Sequence, residues 1–228
     1  MAFNLEEVDV DGAIRNGADD ASGDTRLSFL KKGALAGGAA LSGGAVLSAL
    51  VPGAAMAAST APPATPFGKG DIGILNFALT LEYLERAFYE EATSKGLVKS
   101  GQAKTFLKTT LKDEKAHVAF LVKALGKSAI KEPSFNFGKA LASESVFLDT
   151  AYVLENTGVH AYLGQAGNIK TPAYLLAAAS IVTIEARHAG AVGLIIGKGI
   201  DQVGSFDTGL PAAAILKAVT ATKFITKL

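Results

Sequence analysis

The chain has 228 residues, 49% hydrophobic and 19% charged, with 22 Lys+Arg against 21 Asp+Glu. That length suits one domain with a sizeable core, alone or with a tail, and near-neutral charge argues against a nucleic-acid binder, which needs a basic face. With no cysteine, disulfide frameworks, thiolate zinc sites, iron–sulfur clusters and thiol nucleophiles are excluded.

Residues Met1 to Asp24 are acidic and polar, with Glu6, Glu7, Asp9, Asp11, Asp19, Asp20 and Asp24, and have little to bury. Then come Thr25-Arg26-Leu27-Ser28-Phe29-Leu30-Lys31-Lys32, a Gly/Ala/Leu run from Gly33 to Val51, Pro52, and the small-x-small triplet Ala55-Met56-Ala57. A basic start, an apolar middle and a small-residue exit make an export signal. The start resembles a twin-arginine signal at Thr25, Arg26, Phe29, Leu30 and Lys31, with Leu27 where the second arginine belongs. Residues 1–57 are thus expected to be a leader that sends the chain to the periplasm or cell surface and is cleaved. If retained, the run Ala34–Val51 approaches the roughly 20 residues of a membrane span and becomes an anchor. A Pro-rich linker, 58–70, is expected to be extended, and 71–228 to form the domain.

Within that domain, Asp71 reads as an N-cap, followed by Ile72, Leu75, Leu79, Tyr83 and Ala87 at helical spacing until Gly96. A second helix opens near Ser100 and runs through Phe106, Leu107, Leu111, Val118, Leu121 and Leu125 to Gly126. Residues 131–138 read as a loop. The third helix spans about Ala140 to Leu163. Thr171-Pro172 starts a fourth that continues to about Ile196-Gly197, and Pro211 starts a last one toward Phe224. No long segment alternates with period two, so the chain is all-α. Long helices joined by short or moderate loops bury their stripes as an antiparallel four-helix bundle with an additional C-terminal helix. The fourth helix is apolar enough to suggest a membrane span, yet Glu185, Arg187 and His188 at its middle favour a soluble core with a polar site.

Most acids of the domain read as solvated. Glu85, Glu90, Glu91, Asp113, Glu132 and Glu144 lie among lysines and turn residues. Four others sit in apolar runs: Glu82, Glu114, Glu155 and Glu185. Two head Glu-x-x-His, Glu114 with His117 and Glu185 with His188, and an i, i+3 pair projects from one helical face toward one ion. The other two head Glu-x6-Tyr, Glu82 with Tyr89 and Glu155 with Tyr162, which predicts each hydroxyl above its own Glu on the interior face. The order repeats: Glu82 to Glu155 and Tyr89 to Tyr162 are both 73 residues, Glu114 to Glu185 and His117 to His188 both 71. Two similar halves suggest a pseudo-two-fold helix pair around a metal site.

Four carboxylates converging in a core need counter-charge, and two divalent cations supply it. Oxygen-rich ligation with one imidazole per ion suits iron or manganese. One Glu from each of two helices plus two Glu-x-x-His is the ligand set of ferritin-like di-iron bundles. Asn76-Phe77-Ala78-Leu79-x-Leu81-Glu82-x-Leu84-Glu85, the Glu-x-x-His at 114, Glu155-Asn156-x-Gly158-x-x-Ala161-Tyr162 and Glu185-Ala186-Arg187-His188 together resemble the bacterial ferritin-like domain family that includes desiccation-related proteins. The resemblance covers about Asp71 to Gly197. It implies Glu82, Glu114, His117, Glu155, Glu185 and His188 as ligands of two Fe ions, with Mn as the alternative, and Glu114 and Glu185 as bridges. Tyr89 and Tyr162 are expected as hydrogen-bond donors to the ligating carboxylates, or as electron donors, the alternative being buried tyrosines bonded elsewhere.

His160 is expected to face away from the ligands, and Arg187 to pair with Asp149. The functional expectation is O2 or H2O2 chemistry of ferroxidase or peroxidase type. The alternatives are a non-catalytic desiccation or stress protein on the same bundle, and iron storage in a shell. A homodimer is the expected assembly.

Overall fold

The protein is described by a computed structural model, in which residues 63, 66–199 and 202–227 are placed. The leader expected at 1–57 and most of the linker lie outside the described residues. Five α-helices follow: α1 Gly70–Ser94, α2 Gly101–Leu125, α3 Glu144–Ala166, α4 Pro172–Ile195 and α5 Ala212–Thr222. The fold is all-α, a four-helix bundle with an added C-terminal helix.

Topology follows from what holds the helix ends. Residues 95–100 and 167–171 are too short to do anything but reverse the chain, so α1–α2 and α3–α4 are antiparallel hairpins. The connection from α2 to α3 is longer and carries the chain along the bundle. At its start, the buried Asn76 side chain donates to the carbonyls of Phe67 and Ser128 (both 2.9 Å) and accepts from Ile130 N (3.0 Å). At its finish, the Glu144 carboxylate accepts from the backbone N–H groups of Lys99 and Ser100, at the opposite end of α1. α3 therefore runs antiparallel to α1. Each of α1 and α4 packs against both α2 and α3.

Capping explains the helix limits. Ser100 accepts from Ala103 N and Ser143 from Val146 N, each at 3.3 Å. The third helix thus begins at Glu144 rather than near Ala140, because Gly138–Leu141 forms a separate 3₁₀ turn before the Ser143 cap. Asp71 does not cap its own helix. It lies in the first turn of α1, and its carboxylate accepts from Lys170 N (2.9 Å) and Thr171 N (2.8 Å), pinning the α3–α4 turn. The end of the expected linker also belongs to the packed domain: Phe67 is buried edge-on against Phe77.

Two strands interrupt the all-helical reading. β1 Ser134–Phe135 pairs antiparallel with β2 Ile225–Lys227, and Asn136 N donates to Phe224 O at 2.8 Å. They are too short to show a period-two pattern. Their effect is to clamp the C-terminal segment onto the crossover. That segment first crosses α3 closely, where a Cβ on Gly164 would stand 1.9 Å from Leu210 O. Leu210 N in turn donates to His160 O (2.9 Å).

The core has two apolar layers. One, around Leu75, Leu79, Val118, Leu121 and Ile181, fills the end where α1 begins. The other is aromatic, with Phe88 stacked on Phe147 (5.2 Å between centroids) and Tyr89 edge-on to Phe106 and Phe147. Asn76→Ala removes three hydrogen bonds that fix the crossover. It is expected to cost about 2–4 kcal/mol, read as a lower midpoint in chemical denaturation.

Candidate metal centre

Between those layers lies a polar stratum. Glu82 comes from α1, Glu114 and His117 from α2, Glu155 from α3, Glu185 and His188 from α4, and all six are buried. The i, i+3 spacing turns each Glu-x-x-His inward, as the sequence predicts. Two overlapping groups result: Glu82, Glu114, His117 and Glu185, and then Glu114, Glu155, Glu185 and His188. Within each group the donor atoms lie within 4.8 Å of one another. Glu114 and Glu185 belong to both.

The contacts around the imidazoles are too many for protons to explain. His117 Nδ1 lies 3.1 Å from Glu185 Oε1, 3.2 Å from Glu82 Oε2 and 3.5 Å from Glu114 Oε2. His188 Nδ1 lies 3.1 Å from Glu155 Oε2 and 3.3 Å from Glu114 Oε1. One N–H serves one acceptor well, not three. A cation bonded at about 2.1 Å puts adjacent ligand atoms about 3.0–3.4 Å apart, which is this spacing. The oxygens of Glu114 and Glu185 are buried with no hydrogen-bond donor aligned on any of them. Buried carboxylates without donors or counter-ions are unstable, so the cluster is built for positive charge. Each group could hold a metal ion.

A family model described as a ferritin-like domain matches residues 70–198. The chain belongs to the ferritin-like domain family. No curated protein matches it. The match spans the four long helices of this ferritin-like domain, while α5 and β2 lie beyond it.

The tyrosines are buried at the site with their partners exchanged. Tyr89 donates to Glu155 and Tyr162 to Glu82, each across to the antiparallel neighbour rather than to the Glu of its own helix. Seven residues rise about 10 Å along a helix, too far for a bond within one chain segment. The crossed pair supports the pseudo-two-fold read from the repeat.

Two acids expected on a solvated face belong to the site. Glu85 is buried among the other carboxylates. Its Oε1 and Glu185 Oε2 lie 3.4 Å and 3.1 Å from the position a Cβ would take on Gly158. The repeat carries a signal for it: three residues beyond Glu82 stands Glu85, and three beyond Glu155 stands Gly158. Asp113 Oδ2 accepts from His188 Nε2 at 3.3 Å, which leaves Nδ1 to face the carboxylates. His160 is turned away as expected and bonds the Thr208 carbonyl. Arg187 does not pair with Asp149; it is exposed and donates to Thr183 O (3.2 Å).

Electrostatics follow from burial. Desolvation, then Glu185, Glu155, Glu114 and Glu82, push the Glu85 carboxyl well above its ordinary range. Desolvation and Glu114 do the same to Glu185. Glu114 is pushed up to about 8 by burial and Glu82, against the pull of both histidines. Burial alone would lower His188, but Glu114 and Glu155 outweigh it and raise it to about 11. Glu82 runs the other way, lowered because His117 outweighs its desolvation.

These shifts fix a pH dependence for protein stripped of metal. An acid raised from 4.5 to about 8, such as Glu114, keeps its proton in the folded state while the unfolded chain loses it. Its contribution to stability is complete below 4.5 and falls as pH rises toward 8. His188, raised from 6.5 to about 11, loses its contribution across that higher window. The melting temperature of stripped protein should therefore fall from pH 5 to pH 8, and Glu85→Gln should flatten the decline. Loading with metal, which takes deprotonated ligands, should remove it, and metal affinity should rise over the same range.

Proposed function

We propose that this ferritin-like protein holds a dinuclear metal site and uses it on O2 or H2O2. Glu82 and His117 would serve one ion, Glu155 and His188 the other, with Glu114 and Glu185 bridging. The observation that carries this reading is the sharing of two buried carboxylates, with no hydrogen-bond donor aligned on them, between two His-containing groups. Carboxylate and imidazole donors without thiolate favour iron, with manganese as the alternative. When bound, two such ions would supply one electron each to O2 or H2O2, the chemistry of a ferroxidase or peroxidase.

The remaining work falls to the protein's own groups. Tyr89 and Tyr162 hold Glu155 and Glu82 by their outer oxygens and are the nearest oxidisable side chains. Asp113 fixes the ring of His188. Glu85 rests its carboxyl beside Glu185 in the space left by Gly158. The apolar layers at the two ends of the site shut water out from those directions, which strengthens the charge interactions between them. The leader at 1–57 completes the proposal, carrying the chain out of the cytoplasm before cleavage or anchoring it if retained.

Protein purified without chelators should contain close to two iron or manganese ions per chain by elemental analysis. Mixing the Fe(II)-loaded form with O2 or peroxide in stopped flow should give an absorbance transient and consume oxidant. Metal-free chains that bind none on reconstitution would end this reading. A structural role for the metal has one observation in its favour, the cost of burying these acids without cations. Glu114→Ala with Glu185→Ala separates the two: a drop in melting temperature with no oxidant turnover in the parent protein would assign the metal to stability alone.

A further inference from the structure

Threonine and serine in a helix ordinarily bond back to a carbonyl one turn earlier. Thr80, Thr93, Thr105, Thr150, Thr157 and Ser180 all do so here. Thr110 does not. It is fully buried in α2, and its Oγ1 has no hydrogen-bond partner among the described residues. An unpaired buried hydroxyl costs about 1–3 kcal/mol.

The place of this hydroxyl is informative. Thr110 stands one turn before Glu114, on the same face of α2. It also lines a cleft of about 660 Å³ between α2 and α4. Phe106, Ile184 and Ile195 are among its apolar walls, and its polar lining includes Asp113, Arg187 and His188 beside Thr110. Thr110 therefore belongs both to the cleft wall and to the helix face that carries the carboxylates. The second half of the repeat shows that the fold does not require an alcohol: 71 residues on, the counterpart of Thr110 is Ile181, apolar and buried.

We propose that the α2–α4 cleft is the route by which small oxygen-bearing reactants reach the metal site, and that the Thr110 hydroxyl is their hydrogen-bond partner beside Glu114 and His188. The ligand class is water at rest and dioxygen or peroxide in reaction. This inference rests on the dinuclear reading. It adds to that reading a side of approach and a binding group outside the six ligands.

The test uses Co(II)-loaded full-length protein, whose visible bands report added azide. Thr110→Val keeps the shape and removes the hydroxyl. It should leave Co(II) stoichiometry unchanged, weaken azide binding about tenfold, and leave the melting temperature of stripped protein equal or higher. Thr110→Ser should restore azide affinity. Ala191→Phe, at an exposed cleft position, should slow azide association and dissociation together, leaving the equilibrium constant near that of the parent. Unchanged azide affinity in Thr110→Val, a melting temperature lowered by that change, or unchanged association in Ala191→Phe would each overturn the proposal. Parent protein that binds no Co(II) would instead overturn the dinuclear reading and this one with it.

Discussion

Five carboxylates share one buried space: Glu82, Glu85, Glu114, Glu155 and Glu185. Among the described residues, only the imidazoles of His117 and His188 face them as basic groups, and protonating both would still leave an excess of negative charge. Uncompensated charge in a bundle core costs several kcal/mol per ion. The structure must supply protons or cations there, and every other feature serves to keep the acids together despite that demand. Protons are the weaker answer, because they leave the oxygens of Glu114 and Glu185 without aligned donors.

What resists the repulsion is apolar packing on both sides of the acids and firm attachment of the helix ends. The aromatic layer of Phe88, Phe147, Tyr89 and Phe106 ties all three of α1, α2 and α3 together. At the opposite end, Asn76 and Asp71 use side-chain acceptors and donors to hold two different connections against α1. These are long-range links made by polar groups that a helix does not otherwise need. They fix the relative height of the helices, and that height decides whether donors on four separate elements meet in one plane.

The bundle and the six converging side chains were legible because both depend on local periodicity. Glu-x-x-His needs no knowledge of the neighbouring helix to face inward. The crossing of Tyr89 and Tyr162 was not legible, since a seven-residue spacing shows a shared face but not which neighbour lies within reach. Glu85 and Asp113 depart from the solvated expectation for a related reason: lysines and turn residues nearby in sequence say little about which face of a tightly enclosed helix is wet. α1 is buried around most of its circumference, and Glu85 lies on the enclosed part of it. The β1–β2 clamp escaped because a pairing of two and three residues carries no pattern before the chain ends are brought together.

Three departures from two-fold symmetry beside the acids follow one direction. Glu85 answers to Gly158, Thr110 to Ile181, and Asp113 to Ile184 at the same offsets that superpose the ligands. In each pair the polar member lies on α1 or α2, and the apolar or small member on α3 or α4. The removal of a side chain at Gly158 leaves the volume against which the Glu85 carboxyl rests. Asp113 orients one imidazole by its outer nitrogen, and the cleft opens beside that same imidazole. A duplicated Glu/His set with unequal surroundings gives two halves of unlike field and access, whereas identical halves would present the same field and the same exposure on either side.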